Sequence, residues 1–179
     1  SSVNQRDASL QGEASFAWYN NPKTHHFGGD FVIPWEKRAE EMVEKQIRAR
    51  GILSERVLEA MRSVPRHLFL PEHLRESAWI DSPLPIGEEQ TMSQPYMAAK
   101  MTELLAPEEG DSVLEIGTGS GYQSAVLCSM GAMVTSIERI APLAERARET
   151  LSSLGYDVSV LWSDGREKGQ LAGEFQGVI

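Results

Sequence analysis

The sequence contains a single cysteine, Cys128, which excludes an intramolecular disulfide and any cysteine-based zinc cluster. Cys128 sits in an apolar helical run, where a buried structural thiol is expected rather than a nucleophile. Histidine is also scarce. His25, His26, His67 and His73 lack the helical spacing of a metal pair, so no metal is expected. Basic residues are outnumbered, 17 Lys and Arg against 26 Asp and Glu, for a formal net charge of −9. Nucleic-acid binding draws most of its affinity from cations that neutralise phosphates, and no basic run is present to do so. The expectation is a solvated acidic surface and no nucleic-acid partner. No apolar run approaches the ~20 residues that cross a bilayer, so no membrane partner is expected either. Ser1 to Leu10 lacks the basic-then-apolar order of a signal peptide, which points to the cytoplasm. Because the chain starts at Ser1, a periplasmic protein trimmed of its signal is the alternative.

The 179 residues suffice for one domain with a sizeable core and a modest extra segment. Residues 1–33 are polar and glycine-rich, with Phe16, Trp18, Tyr19, Phe27 and Phe31 scattered without period. We read an irregular N-terminal arm whose aromatics dock on the domain or a neighbouring subunit, with disorder as the competing view. Residues 34–94 read as a helical subdomain and an active-site loop. Trp35, Ala39, Met42, Val43 and Ile47 form one helical stripe that Gly51 closes. Ser54 is placed to cap a second helix, with Val57, Leu58, Met61 and Val64 buried before Pro65 stops it. A third short helix is expected from Pro71 to Trp79. Asp81 to Gln94, with Pro83, Pro85 and Gly87, should be loop with at most a short extended piece. Pro95 suits the first turn of a helix whose apolar face carries Tyr96, Met97, Met101, Leu104 and Leu105.

From about residue 95 to 179 the pattern is that of a Rossmann-like α/β domain. Strands at Val113–Ile116, Met133–Ile137 and Val158–Leu161 alternate with helices at Tyr122–Met130 and Pro142–Leu154, and Phe175–Ile179 starts a fourth strand. Such alternation with short connections means a parallel sheet with right-handed crossovers.

Ligands of such sheets sit beyond the carboxyl ends of the strands, where strand order reverses. The first strand runs directly into Glu115-Ile116-Gly117-Thr118-Gly119-Ser120-Gly121. Gly117 and Gly119 let the backbone turn tightly and approach a ligand, and the free N–H groups of the following helix favour a carboxylate. A dinucleotide loop would place its third glycine at the position of Tyr122; here it is Gly121. Glu115, two positions before Gly117, is suited to attract a ligand ammonium, directly or through water. Glu138 ends the second strand, where a carboxylate can accept both ribose hydroxyls. Asp164, after the third strand, can accept from an adenine amino group. Each acid alone is an ordinary solvated strand end, and the glycines alone an ordinary turn. Together they describe a site for an adenosine joined to an amino acid, S-adenosylmethionine.

Further segments extend the pattern: Met42-Val43 with Gln46-Ile47 and Arg50-Gly51, Val64-Pro65-Arg66-His67, Leu84-Pro85-Ile86-Gly87, Gln90-Thr91-Met92-Ser93-Gln94-Pro95-Tyr96-Met97, Val113 to Tyr122, and Ser136-Ile137-Glu138-Arg139. In these, from about Met42 to Ile179, the sequence resembles the protein-L-isoaspartate (D-aspartate) O-methyltransferase family. The resemblance implies methyl transfer from S-adenosylmethionine to the free carboxylate of isoaspartyl residues in damaged proteins and peptides, with S-adenosylhomocysteine as product. The ester would collapse to a succinimide, allowing partial return to aspartate. It implies that Thr91 and Ser93 line the active site, with backbone from Met92 to Gln94 holding the acceptor. Cofactor contacts carry over to Glu115, Gly117, Thr118, Gly119, Ser120, Gly121, Glu138, Arg139, Asp164 and Gly165. Ser93 is equally placed to cap the helix at Pro95. An acceptor carboxylate with a pKa near 3.9 is ionised at neutral pH and needs no general base, so the lack of a histidine-based arrangement is expected.

Three positions depart from the family: the arm before Trp35, Ser163 in place of a glycine, and Gln176 in place of an aspartate. The family also continues past the fourth strand, and a sheet ending there would leave an apolar strand unpaired. A longer protein is therefore expected, of which this stretch keeps most cofactor contacts without full activity by itself. The alternatives are a module that binds S-adenosylmethionine without transfer, a nucleic-acid methyltransferase, and a nicotinamide-dependent oxidoreductase. The last two are disfavoured by the missing basic face and by the glycine spacing.

Overall fold

Pro34 opens the first helix, and an apolar stripe closes that helix onto the core. The computed structural model describes residues 33–165 and 174–179; the expected N-terminal arm up to Val32, and Arg166, lie outside them. Helix α1, Trp35–Met42, continues through a π-helical turn, Val43–Ile47, and a 3-10 turn, Arg48–Arg50. Ala39, Met42, Val43 and Ile47 fall at i, i+3, i+4 and i+8 and are buried, as one face of a helix requires. Gly51 ends the run at φ 90°, the left-handed cap read from the sequence. Helix α2, Glu55–Ser63, buries Val57, Leu58, Ala60 and Met61. Ser54 occupies its N-cap position but makes no side-chain cap bond. The expected serine cap is corrected: Glu103 Oε1 accepts the Leu53 and Ser54 N–H groups at 3.0 and 3.4 Å. A carboxylate from a different helix meets the need for an acceptor there. The third short helix is a 3-10 segment, Glu72–Trp79.

The segment expected to be mostly loop is a β-hairpin. Strands β1, Leu84–Gly87, and β2, Gln90–Met92, pair antiparallel, with Leu84 opposite Met92 and Gly87 opposite Gln90. The two connecting residues, Glu88 and Glu89, both have positive φ, 52° and 56°. A two-residue turn matching strand twist demands that conformation but normally takes Asn or Gly for it. Side chains of the wrong type at the turn, and two prolines, hide the hairpin in the sequence. Leu84, Ile86 and Met92 bury one face of it.

Helix α3, Pro95–Leu105, begins at its proline as expected, but its buried face is Ala98, Ala99 and Thr102. Met97 and Leu104 are 43% and 73% exposed, a correction to the predicted face. Of the other predicted side chains, Tyr96 and Leu105 are partly buried against the core.

The rest is a parallel sheet. Strand β3, Ser112–Ile116, leads to α4, Tyr122–Ser129, then β4, Met133–Glu138, α5, Ala141–Ser153, and β5, Val158–Trp162. Strand β6, Gly177–Val178, returns to the other side of β3, giving the order β5-β4-β3-β6 with every pair parallel. Gln176 helps set that register: its Oε1 accepts the Ser112 N–H at 2.7 Å, while its own N–H donates to Ser112 O at 2.9 Å. Strand order therefore reverses at β3, which places the switch point of the sheet at Ile116. One hydrophobic cluster joins α1 and α2 through the hairpin to Tyr122, Leu143 and Leu151 of α4 and α5. Cys128 is half-buried rather than buried, its Sγ 3.8 Å from Asp157 O.

Candidate functional site

Beyond the carboxyl ends of β3, β4 and β5 lies a cleft of about 640 Å³, within the range of small-molecule sites. Its floor is the glycine loop. Gly117 and Gly119 line it at φ 96° and 54°, where L side chains are strained. A Cβ on Gly117 would meet nothing within 4 Å, so the missing side chain leaves open space; on Gly119 it would come 3.4 Å from Ile86 of the hairpin. The loop is tied to the neighbouring strand, since Ile137 O accepts the N–H groups of Gly117 and Thr118 at 2.8 and 3.2 Å.

Glu138 and Arg139 form the second wall, at the end of β4. Glu138 is 5% exposed, and its carboxylate accepts two backbone N–H groups, Gly119 to Oε2 and Ile140 to Oε1, each at 2.9 Å. These bonds fix its rotamer against the loop while a carboxylate oxygen keeps further accepting capacity. Asp164 and Gly165 form the third wall, after β5. A Cβ on Gly165 would press to 3.3 Å from Ile116 Cγ2, so a larger residue would narrow the cleft. Gln90 and Thr91 of the hairpin also line the cleft. Arg146 anchors the hairpin there, its Nη2 donating to Ile86 O at 3.0 Å.

The cleft thus brings together Thr91, Gly117, Gly119, Glu138, Arg139, Asp164 and Gly165 of the residues singled out in the sequence. The others lie behind or beside it. Ser93 is exposed just past β2, and the N-cap position of α3 is held by Gln94, without a side-chain cap bond. Gly121, at φ 88°, is the left-handed residue that starts α4, and Ser120 Oγ accepts the Tyr122 N–H at 3.3 Å.

Glu115 and Thr118 belong to a buried network under the loop. Glu115 Oε2 accepts from Ser124 Oγ and from Ser136 Oγ, the latter at 2.7 Å. With the Ser136 proton committed to Glu115, Thr118 Oγ1 donates to Ser136 Oγ at 2.5 Å. Burial pushes the Glu115 carboxyl up to about 7; the two serine hydrogen bonds pull the other way, and the nearby Glu138 adds to the rise.

Sequence reasoning missed Gln90, Ile116, Ile137 and Ser163, which also line the cleft. Ile116 is 48% exposed, and its place as the last residue of the strand before the glycines was the available signal. For Gln90 the signal was its place directly before Thr91 in the Gln90–Met97 segment, although the hairpin that presents both was not legible.

Comparison with known proteins bears on this geometry. The family model for protein-L-isoaspartate(D-aspartate) O-methyltransferase matches residues 37–172. A protein-L-isoaspartate O-methyltransferase of Methanospirillum hungatei is 55% identical over 141 residues, covering 78% of this chain and 65% of the relative. That of Methanoculleus marisnigri is 56% identical over 135 residues, covering 75% and 61%. The chain thus spans less than two thirds of either relative's length. A solved protein-L-isoaspartate O-methyltransferase superposes with a TM-score of 0.61 at 28% identity, over 73% of this chain and 42% of that one. A putative Plasmodium falciparum enzyme of the same name, solved with S-adenosyl-L-homocysteine, gives 0.63 at 22% identity, over 74% and 66%, and shares the fold. The α/β, Rossmann-like class read from the sequence holds. Among the described residues no group of His, Cys, Asp and Glu is placed to hold a metal, and no helix is long and apolar enough to cross a membrane.

Proposed function

The chain belongs to the protein-L-isoaspartate(D-aspartate) O-methyltransferase family, and on that premise we propose that it binds S-adenosylmethionine and methylates isoaspartyl carboxylates in damaged proteins and peptides. The observation that carries this reading is the cleft itself, lined together by three strand ends and the hairpin residue Thr91.

The residues present suit the cofactor. The space over Gly117 admits a ligand where any Cβ would intrude. Glu138, already held by two backbone N–H groups, is the acceptor for ribose hydroxyls, and Asp164 the acceptor for the adenine amino group. Arg139 and Gly165 complete the adenosine side. Glu115, Thr118, Ser120 and Gly121 support the loop that carries the amino-acid end, Glu115 and Thr118 through the serine network beneath it.

On the acceptor side, we assign Thr91 and Ser93 the holding of the isoaspartyl group, with the backbone from Met92 to Gln94. Division of labour follows the chain: residues 34–94 serve the acceptor, and residues 95–179 serve the cofactor. When bound, S-adenosylmethionine supplies a sulfonium-activated methyl; transfer to a carboxylate oxygen breaks the carbon–sulfur bond, leaving a neutral thioether and a methyl ester. The acceptor carboxylate is already ionised at neutral pH, so no side chain need remove a proton. The protein's task is to align carboxylate and methyl and to shed water between them.

Incubation of the whole protein with methyl-labelled S-adenosylmethionine and an isoaspartyl peptide tests the reading, with the matched aspartyl peptide as control. Base-labile label that leaves as methanol, from the isoaspartyl peptide alone, is the expected result. Binding of S-adenosylhomocysteine without any transfer would establish the binding-module alternative instead.

A further inference from the structure

Arg66 is wholly buried, the largest fully buried side chain among the described residues. Among these residues it forms no ion pair, and its partners are backbone carbonyls. Nε donates to Ala78 O at 2.8 Å, and Nη2 donates to Ser93 O at 2.7 Å. Nη1 has no partner. The guanidinium carbon lies 4.7 Å from the centroid of the Tyr122 ring, within cation–π range. Burial lowers its pKa from the ordinary arginine value.

Tyr122 and the Asp81 carboxylate favour its charge without an ion pair, yet a buried cation is a poor way to stabilise a core, since an apolar side chain of similar volume often serves as well or better. What Arg66 does achieve is geometric. Ser93 follows directly on β2 and precedes α3, on the acceptor side of the cleft. Tyr122 is the first residue of α4, immediately after the glycine loop. One rigid planar group therefore touches the acceptor segment by a charge-assisted hydrogen bond and the cofactor helix by its face. Lysine cannot reproduce this, since a single ammonium on a flexible stem lacks the fork that spans two carbonyls.

We propose that Arg66 is a positioning residue that sets the Thr91–Ser93 segment relative to the glycine loop, and so the alignment of acceptor carboxylate and methyl donor. The inference rests on the function proposed above. It separates two constants: cofactor affinity depends on the loop and strand ends, whereas productive transfer also depends on where Ser93 is held.

Arg66→Lys and Arg66→Gln test it by steady-state kinetics with an isoaspartyl peptide, rates being normalised to folded protein counted by bound S-adenosylhomocysteine. The expected result is a fall in kcat/KM for the peptide of about 10- to 100-fold, the loss of one charge-assisted hydrogen bond. The Kd for S-adenosylhomocysteine should stay within about two-fold, a change below half a kcal/mol. Unchanged kcat/KM in both variants overturns the positioning role. So does a parallel loss of cofactor affinity, or failure of both variants to fold, since either marks a purely structural residue. A wild-type protein that transfers no methyl overturns the proposed function and this inference with it. An active wild type with unaffected variants overturns this inference alone.

Discussion

Replacing Glu115 by glutamine removes one buried titration, and the structure sets how the stability difference should run with pH. In the folded chain burial raises the Glu115 carboxyl from 4.5 to about 7. The folded state therefore holds its proton more tightly than the unfolded state does. Its contribution is fully present below pH 4.5, declines as pH rises, and is lost once pH passes the folded value near 7. At 1.36 kcal/mol per pKa unit, the total loss is about 3 kcal/mol. Glu115→Gln keeps an oxygen for the Ser124 and Ser136 hydroxyls but cannot ionise. Urea unfolding of both proteins from pH 4.5 to 8.5, without ligand, measures the effect. The wild-type stability minus that of the variant should fall by about 3 kcal/mol across the range, at roughly 1.4 kcal/mol per unit in the middle, and flatten above pH 8. Titrating groups remote from Glu115 are common to both proteins and cancel. His67 is one of them: burial lowers it to about 4, so its contribution is whole above pH 6.5 and lost as pH falls towards the folded value. Parallel stability curves for the two proteins would refute the reasoning, and with it the buried serine network as the seat of the Glu115 charge.

Glu138→Ala removes the acceptor of two backbone N–H groups and the proposed ribose contact; calorimetric titration should show S-adenosylhomocysteine affinity reduced about 100-fold. Gly121→Ala must hold an L side chain at φ 88° with its Cβ 3.1 Å from Leu151 Cδ1, and denaturant unfolding should register a loss of about 2–4 kcal/mol. Gly155→Ala has a similar φ, 80°, but meets nothing within 4 Å, so it should lose only the conformational part, about 1–2 kcal/mol. Thr91→Ala, in the hairpin wall, should lower kcat/KM for an isoaspartyl peptide about 10-fold while S-adenosylhomocysteine binds as before; an equal loss in both would move Thr91 to the cofactor side.

Part of this site was legible from local pattern. The glycine loop, the acids at the ends of β4 and after β5, and the alternation of strands and helices all depend on residues close in the chain, where spacing maps directly onto one face or one turn. Burial and partnership depend on distant residues, and there sequence reasoning fell short. Ser54 sits at the predicted helix start, yet the acceptor that serves it is Glu103. Met97 and Leu104 are apolar but exposed, and Ala98 and Ala99 hold the buried positions of α3. The hairpin was hidden by Glu88 and Glu89, whose positive φ the rest of the fold imposes against their preference.

By itself, then, the sequence determined the α/β class, the switch point after Ile116 and the acids at the strand ends, since each follows from period or from adjacency to a strand end. Only the tertiary structure decided which of those residues share a cavity. It placed Thr91 in one cleft with Gly119, drew the Glu115 carboxyl into a serine network, and brought Arg66 between Ser93 and Tyr122. The reason is physical: a charge or hydroxyl takes its role from the solvent and partners it keeps, and those are set by packing among segments far apart in the chain.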